Sequence, residues 1–453
     1  MSDADLERFR SLLRMATVSS LTPDEVDWSR FASFADLVEQ LYPRVHEHLA
    51  REIVDGHTLL WHWVGRETGD PTVLMAHYDV VSVVESEWSS PPFEARLVGD
   101  GGDSDDDSQI VARGVLDDKG SLVALLEAIE GALESGYQPL HDVYLLSTHD
   151  EEVAGSGAPA AVALFASRGI RPGFVLDEGG SVREGILPGV ERAIAVVGVT
   201  ERGIINLELL AKDAGGHAST PPPPPALLAT QRIARAIDRL SRRPFPATVP
   251  APIAELVRTA APYADAEHRE LYTSPGRNAR AIVRALNAHS NRSAAMLRTT
   301  VAITQLRGSA GANVLATRAS AVANIRVNPG SSVAAVIERV ARIIDDPLVE
   351  LRVLSASEPS PVSPTGAPGD GGPFSVLRET ISEVFPEAIV APYVQTGGSD
   401  ARHFAPISDR IYRFIPFEIT PALQLGVHGA DERLPVSQFR RAIGFYRRLL
   451  ERL

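Results

Sequence analysis

The histidines and acids of this chain gather in a few short segments, most of them where an apolar run ends. His77-Tyr78-Asp79 follows Thr72–Ala76. In an extended chain residues two apart share a face, so His77 and Asp79 point the same way. A carboxylate there can hold the second ring nitrogen of a metal-bound imidazole. Gly114–Gly120 (GVLDDKG) sets Asp117 and Asp118 at the start of a helical pattern, where they either cap the helix or bridge cations through two carboxylate oxygens. Thr148–Glu152 (THDEE) ends another apolar run with three acids in succession. These repel one another unless cations or donors neutralise them, and metal ligation plus a general base accounts for them. Leu176–Gly180 (LDEGG) repeats the order strand, acids, glycine turn, and Gly426–Glu432 (GVHGADE) sets His428 between glycines. Singly, each segment is as readily a turn or a satisfied strand end. Together they supply two histidines and four or five carboxylates, a donor set suited to a pair of zinc ions bridged by a carboxylate, with cobalt or manganese as substitutes. Such a pair can activate water and clamp a carbonyl oxygen.

The elements that must position these residues alternate in type. Asp3–Met15 and Pro23–Ala50 carry apolar residues at helical spacing (Leu6, Phe9, Leu12; Phe31, Phe34, Leu37). Thr58–Val64, Thr72–Val81, Val143–Thr148 and Phe174–Leu176 are short apolar runs of the length and β-branched content of buried strands. Helical patterns lie between them at Gly120–Ser135 and Pro159–Arg168. This predicts an α/β fold, a mostly parallel sheet with helices on both faces, and ligands at the carboxyl ends of its strands. From about Thr200 the pattern changes. Strands are expected at Ile204–Leu210, Thr299–Leu306, Ala319–Val327 and Leu351–Leu354, and helices at Ala226–Ser241 and Val333–Ile344, after the proline run Pro221–Pro225. That suggests an inserted α+β domain. Pro250–Ser293 is helical and polar, with no motif. The Pro/Ser/Gly-rich stretch Glu358–Pro373 marks the return, and Ser437–Leu453 is the last helix. The expected division is 1–199 and 357–453 for the catalytic domain and 200–356 for the insertion.

Composition narrows the function classes. The 453 residues are 44% hydrophobic and 23% charged, as in an ordinary globular protein. There are no cysteines, which excludes disulfides and thiolate catalysis and leaves His, Asp and Glu as metal ligands. A net charge of −14 disfavours nucleic acid and anionic membranes as partners. No apolar stretch is long enough to span a bilayer. The start, MSDADLERFR, lacks the basic and apolar regions of a signal peptide, so either the protein is cytoplasmic or a leader has been removed. The acidic run Asp100–Asp107 reads as a solvated hairpin loop, with an extra cation site as the alternative.

The order and wording of the five segments resemble the zinc metallopeptidase family that contains carboxypeptidase S, the aminoacylases, succinyl-diaminopimelate desuccinylase and glutamate carboxypeptidase. The resemblance runs from about Leu6 to the C-terminus. HDEEV (His149–Val153), LDEGG and GGSDARHF (Gly397–Phe404) look closest to the carboxypeptidase S branch, which includes N-acyl-amino-acid hydrolases and synthases. It implies a zinc-exopeptidase type of catalytic domain and an inserted lid that also serves dimerisation. Carried over residue by residue, it implies one metal on His77, Asp177 and the bridging Asp117, and a second on Asp117, Glu152 and His428. Glu151 would be the general base and Asp79 the acid that orients His77. The Asp117–Asp118 peptide would be cis. His217, in GGHAS, is a loop residue by its surroundings alone, but the resemblance implies that it stabilises the oxyanion, often in the partner's site. Asn313, Arg326, Gly397, Gly398, Ser399 and Arg402 would bind the substrate carboxylate, a role that suits guanidinium groups. Ala154 departs from the family, which often has glycine there.

The implied activity is cleavage of an amide bond next to a free carboxylate, of carboxypeptidase or dipeptidase type, on a small peptide. An N-acyl-amino-acid amidase is the alternative. A non-catalytic metal-binding relative would lack a ligand or the base, and all are present; an aminopeptidase without a lid conflicts with residues 200–354. A homodimer through the lid is expected.

Overall fold

The computed structural model describes residues 3–99, 108–367 and 369–453; the acidic run at 100–107 lies outside the described residues. Val143–Ser147, Thr72–Met75 and Phe174–Asp177 are buried along their whole length, as strands covered on both faces must be. They form the middle of a nine-stranded sheet. Thr72–Met75 pairs in parallel with both of the others, and Ile411–Arg413 adds in parallel beyond Phe174–Asp177. Ala50–Val54 and Thr58–Trp63 close one side in antiparallel pairing. Ile194–Glu201 and Ile389–Gln395, parallel to each other, close the other. The parallel α/β centre expected from the sequence is therefore present.

Lys119–Glu134 turns Leu122, Leu125 and Ile129 into the core, while Glu127 and Glu130 on its other face pair with Arg8 and Arg44. It packs on Val436–Leu450, whose Phe439, Phe445 and Leu449 enter the same core. A second, antiparallel sheet of four strands runs Thr300–Arg307, Arg318–Val327, Gly203–Lys212, Val349–Ser357. Its core is closed by Ile233 and Leu240 of Ala229–Arg242 and by Val336 and Val340 of Val333–Ile344.

The stretch at 250–293, which carries no motif, forms four helices between Ala251 and Ala295. Their apolar side chains Ile253, Val257, Tyr272 and Leu286 pack with Ile194, Ile389 and Tyr393 of the large sheet, not with the small one. No helix among the described residues is long and apolar enough to cross a membrane.

Candidate metal centre and substrate cavity

His77 lies just beyond the carboxyl end of Thr72–Met75, Glu151 and Glu152 beyond Val143–Ser147, and Glu178 beyond Phe174–Asp177. The parallel arrangement thus delivers chemical groups from three neighbouring strands to the same sheet edge, where such folds bind ligands. The Asp117–Asp118 peptide is cis, as expected.

Asp117 stands between two imidazoles. Its Oδ1 is 3.0 Å from His77 Nε2 and its Oδ2 is 3.1 Å from His428 Nε2. His428 Nε2 is also 2.9 Å from Glu152 Oε2. One carboxylate with an oxygen toward each histidine is the arrangement of a bridging ligand. Ligand atoms of His77, Asp117 and Glu152 all lie within 4.8 Å of one another, as do those of His77, Asp118 and Glu178.

His77 is held from behind. Its Nδ1 is 3.1 Å from the Asp79 carbonyl and 3.3 Å from Asp79 Oδ1. The fully buried Asp79 carboxylate also accepts the Glu151 and Glu152 N–H groups, each at 3.1 Å, and the Ser19 hydroxyl at 2.7 Å. One acid therefore fixes the tautomer of His77 and the turn that carries Glu151 and Glu152.

The electrostatics fit a cation site. Burial disfavours charge on His77, but the hydrogen bonds it donates to Asp117 and Asp79 outweigh it and hold the ring well above the usual range. Asp117 and then Glu152 push His428 up to about 10. Burial and then the histidine charge act oppositely on Glu151, yet burial with the nearby Asp400, Asp79 and Asp117 carboxylates raises its pKa well above normal. Burial does the same to Glu178 and to Asp118, each also beside Asp117. Among the described residues neither oxygen of the buried Asp118 has a partner at full hydrogen-bond geometry, the Ser121 hydroxyl being the nearest donor to act on it. Two imidazoles and several desolvated carboxylates converging in this way suit divalent metals with N/O preference.

One expected ligand is corrected. Asp177 accepts the N–H groups of Glu178 at 2.9 Å and of Ala401 at 2.7 Å, and is buried behind the site. Glu178 faces the cavity and joins His77. Adjacent residues at a strand end point to opposite faces, so only one of the two acids can face the His77 cluster.

A cavity of about 670 Å³ opens over this cluster and is lined by Glu151, Glu152, Glu178 and His428. Arg326, Arg402, Gly397 and Gly398 line the same cavity. A Cβ on Gly398 would meet Arg402 Nη1 at 2.5 Å, so glycine there makes room for the guanidinium. Ser399 is the second correction. It is fully buried, and its hydroxyl and N–H bond to Glu201 at 2.6 and 3.2 Å, which turns it away from the cavity. His217 and Asn313 sit together on an exposed two-stranded ribbon, with Ala218 N–H bonded to the Asn313 carbonyl at 3.0 Å. His217 Nδ1 lies 2.7 Å from Ser219 Oγ. Neither residue lines this chain's cavity. Ala154 lines it with φ 52°, a left-handed conformation that favours the glycine it replaces.

Sequence reasoning did not single out Glu178 as a candidate ligand, nor Arg183, Arg292 and Gln424, which also line the cavity. For Glu178 the signal was present in strand parity; for isolated arginines in separate segments there was none.

A parallel α/β sheet with a His/Asp/Glu centre at its carboxyl edge defines a metallohydrolase architecture. The chain belongs to peptidase family M20/M25/M40, whose profile matches residues 73–452, and it is a hydrolase of that family. A carboxypeptidase S-like protein of Dictyostelium discoideum is 32% identical, over 100% of this chain and 85% of that protein. The human N-fatty-acyl-amino acid synthase/hydrolase is 31% identical, over 98% of this chain and 87% of that protein. The fold matches the crystal structure of an M20 family metallo-carboxypeptidase from Sulfolobus solfataricus with a TM-score of 0.68 at 19% identity, over 100% of this chain and 99% of that one.

Proposed function

We propose that the chain hydrolyses an amide bond adjacent to a free carboxylate with the help of two zinc ions, in the manner of a carboxypeptidase or dipeptidase. The observation that carries the reading is that Arg326 and Arg402 share a cavity with Glu151 and the histidine–carboxylate cluster. Neither guanidinium has a carboxylate partner among the described residues: Arg326 Nε bonds Asn324 Oδ1 at 3.2 Å, and Arg402 Nε bonds His403 Nε2 at 3.3 Å. A substrate carboxylate would supply the missing counter-charge, held by planar charge-assisted hydrogen bonds.

His77, Asp117 and Glu178 would hold one ion, and Asp117, Glu152 and His428 the other. Bound there, the ions would supply Lewis-acid polarisation of an amide carbonyl and an acidified water. Glu151, whose proton affinity is raised by burial and neighbouring carboxylates, takes a proton from water and returns it to the departing amine nitrogen. Asp79 keeps His77 in the ligating tautomer. Arg326 and Arg402 fix the carboxylate, so the scissile carbonyl is presented in one register. We propose also that His217 and Asn313 serve the partner's site in a homodimer, since both are exposed and lie outside their own cavity, and that residues 200–356 act as the lid.

A second reading keeps the site and changes the substrate to an N-acyl amino acid. Leu116, Val153, Val196, Tyr393 and Ile419 give the cavity an apolar wall suited to an acyl chain. A panel of dipeptides and N-acyl amino acids, each with the carboxylate free or capped as the amide, tests both readings. Cleavage confined to free carboxylates is expected, with KM raised about tenfold or more in Arg326→Met. Equal cleavage of the capped compounds contradicts the assignment.

A further inference from the structure

The cavity contains two arginine pairs, and the reaction above uses only one. Arg326 comes from Arg318–Val327 and Arg402 from the turn after Ile389–Gln395. The other pair is built from different elements. Arg183 belongs to the short strand Val182–Arg183, just beyond Glu178, and Arg292 to the helix Asn291–Ala295. Both line the cavity, as does Gln424, which precedes His428. Arg183 Nη1 and Arg292 Nη2 donate to the same oxygen, Gln424 Oε1, at 2.5 and 3.1 Å. Arg183 Nε donates to Ser181 Oγ at 2.7 Å.

Neither arginine has a carboxylate partner among the described residues. This is not for want of acids, since the chain has 58 Asp and Glu against 44 Lys and Arg. Two half-buried guanidiniums held against one neutral amide oxygen repel each other. Burial and then the Arg292 charge bring Arg183 down to about 10. Desolvated like charges without a counter-ion are costly, and in a cleft they mark the place where a ligand brings the opposite charge. The forked donors of a guanidinium match a carboxylate. Arg183 follows the turn that carries Glu178, Gln424 lies on the helix that leads to His428, and Arg292 comes from a separate helix; none of these elements carries Arg326 or Arg402. A group bound there meets donors other than Arg326 and Arg402, in a cavity that Val196, Tyr393 and Ile419 also line.

We propose that Arg183 and Arg292 form a second carboxylate subsite, so that the favoured substrates are amides of an amino acid whose acyl chain ends in its own carboxylate. The proposal rests on the hydrolase reading above and narrows its substrate class.

The test compares kcat/KM of the metal-loaded protein for N-succinyl, N-glutaryl and N-adipoyl amino acids with that for the same compounds carrying a terminal carboxamide. At least one carboxylate-ended member should exceed its carboxamide partner by about tenfold or more, mainly through KM. In Arg292→Met that ratio should fall toward one; Arg183→Met provides a second, independent variant. A ratio near one in the unmodified protein, with the carboxamide compounds cleaved, overturns the subsite and leaves the hydrolase reading standing. A preference that appears only for N-acetylglutamate over N-acetylglutamine also overturns it, because the second carboxylate is then on the amine side. Cleavage of no member of the panel overturns the hydrolase reading and the subsite with it.

Discussion

Arg113 and Glu432, 319 residues apart, form a buried ion pair, with Arg113 Nη1 2.7 Å from Glu432 Oε2. Glu432 also accepts the N–H groups of Gly114, Leu116 and Asp117 at 3.0, 2.7 and 3.1 Å, and Arg113 Nη2 donates to the Gly429 carbonyl at 2.7 Å. The pair thus ties the loop of Asp117 to the loop of His428, two halves of the candidate metal centre. In Glu432→Gln the Arg113 charge is left buried without a partner, at a cost of about 3–5 kcal/mol. Chemical denaturation should show a loss of that order, together with weaker zinc uptake. An unchanged midpoint would mean that the pair does not hold the loops together.

Glu178 and Asp177 are separated by a pair of substitutions. Glu178→Ala removes a group that faces His77, and metal content measured by elemental analysis should fall by about one ion per chain. Asp177→Asn leaves the metals in place, because that carboxylate serves the Glu178 and Ala401 amides; its effect is a stability loss of about 1–3 kcal/mol. The opposite pattern of metal contents would restore Asp177 as the ligand.

Ala154 occupies a left-handed conformation at the end of the Glu151–Val153 turn. A Cβ in that conformation costs about 1 kcal/mol, so Ala154→Gly should raise stability by about that amount in urea unfolding, with turnover maintained. Destabilisation would show that the alanine methyl packs usefully.

His46 gives a pH dependence far from the metal centre. Burial lowers its pKa below the usual imidazole value. Its Nε2 accepts the Trp61 indole N–H at 3.2 Å, and its Nδ1 bonds the Tyr42 carbonyl at 3.0 Å, so the folded ring is neutral. A depressed histidine contributes stability that is complete above its unfolded pKa of about 6.5 and is lost as pH falls below that value. The thermal midpoint should therefore decline from pH 7.5 to pH 5, with a shallower decline in His46→Gln. Identical slopes would remove His46 from the account.

The catalytic sheet and most of the site were legible in the sequence because buried parallel strands are continuous apolar runs. Val143–Ser147 and Phe174–Asp177 could be placed, and the acids that follow them came with them. Strand parity separates Asp177 from Glu178, but the fold decides which of the two faces the histidine cluster: Glu178 joins His77, and Asp177 turns to the Ala401 amide. The stretch at 250–293 reads only as helical and polar, and the fold shows that Ile253, Leu256 and Val257 form an apolar face lying on Ile194 and Tyr393. Arg183 and Arg292 look like ordinary surface charges until both are seen to share Gln424. Ser399 reads as part of a substrate turn, yet Glu201, far away in sequence, claims its hydroxyl.

We propose that the His77, Asp117, Glu152, Glu178 and His428 cluster holds the metals that support amide hydrolysis. The most direct test is zinc titration of chelator-stripped protein while hydrolysis of an N-acyl amino acid or dipeptide with a free carboxylate is followed. Activity absent at the start and saturating at about two zinc ions per chain is the predicted result. Full activity in the stripped protein, or none after zinc, cobalt or manganese is added, would contradict the claim.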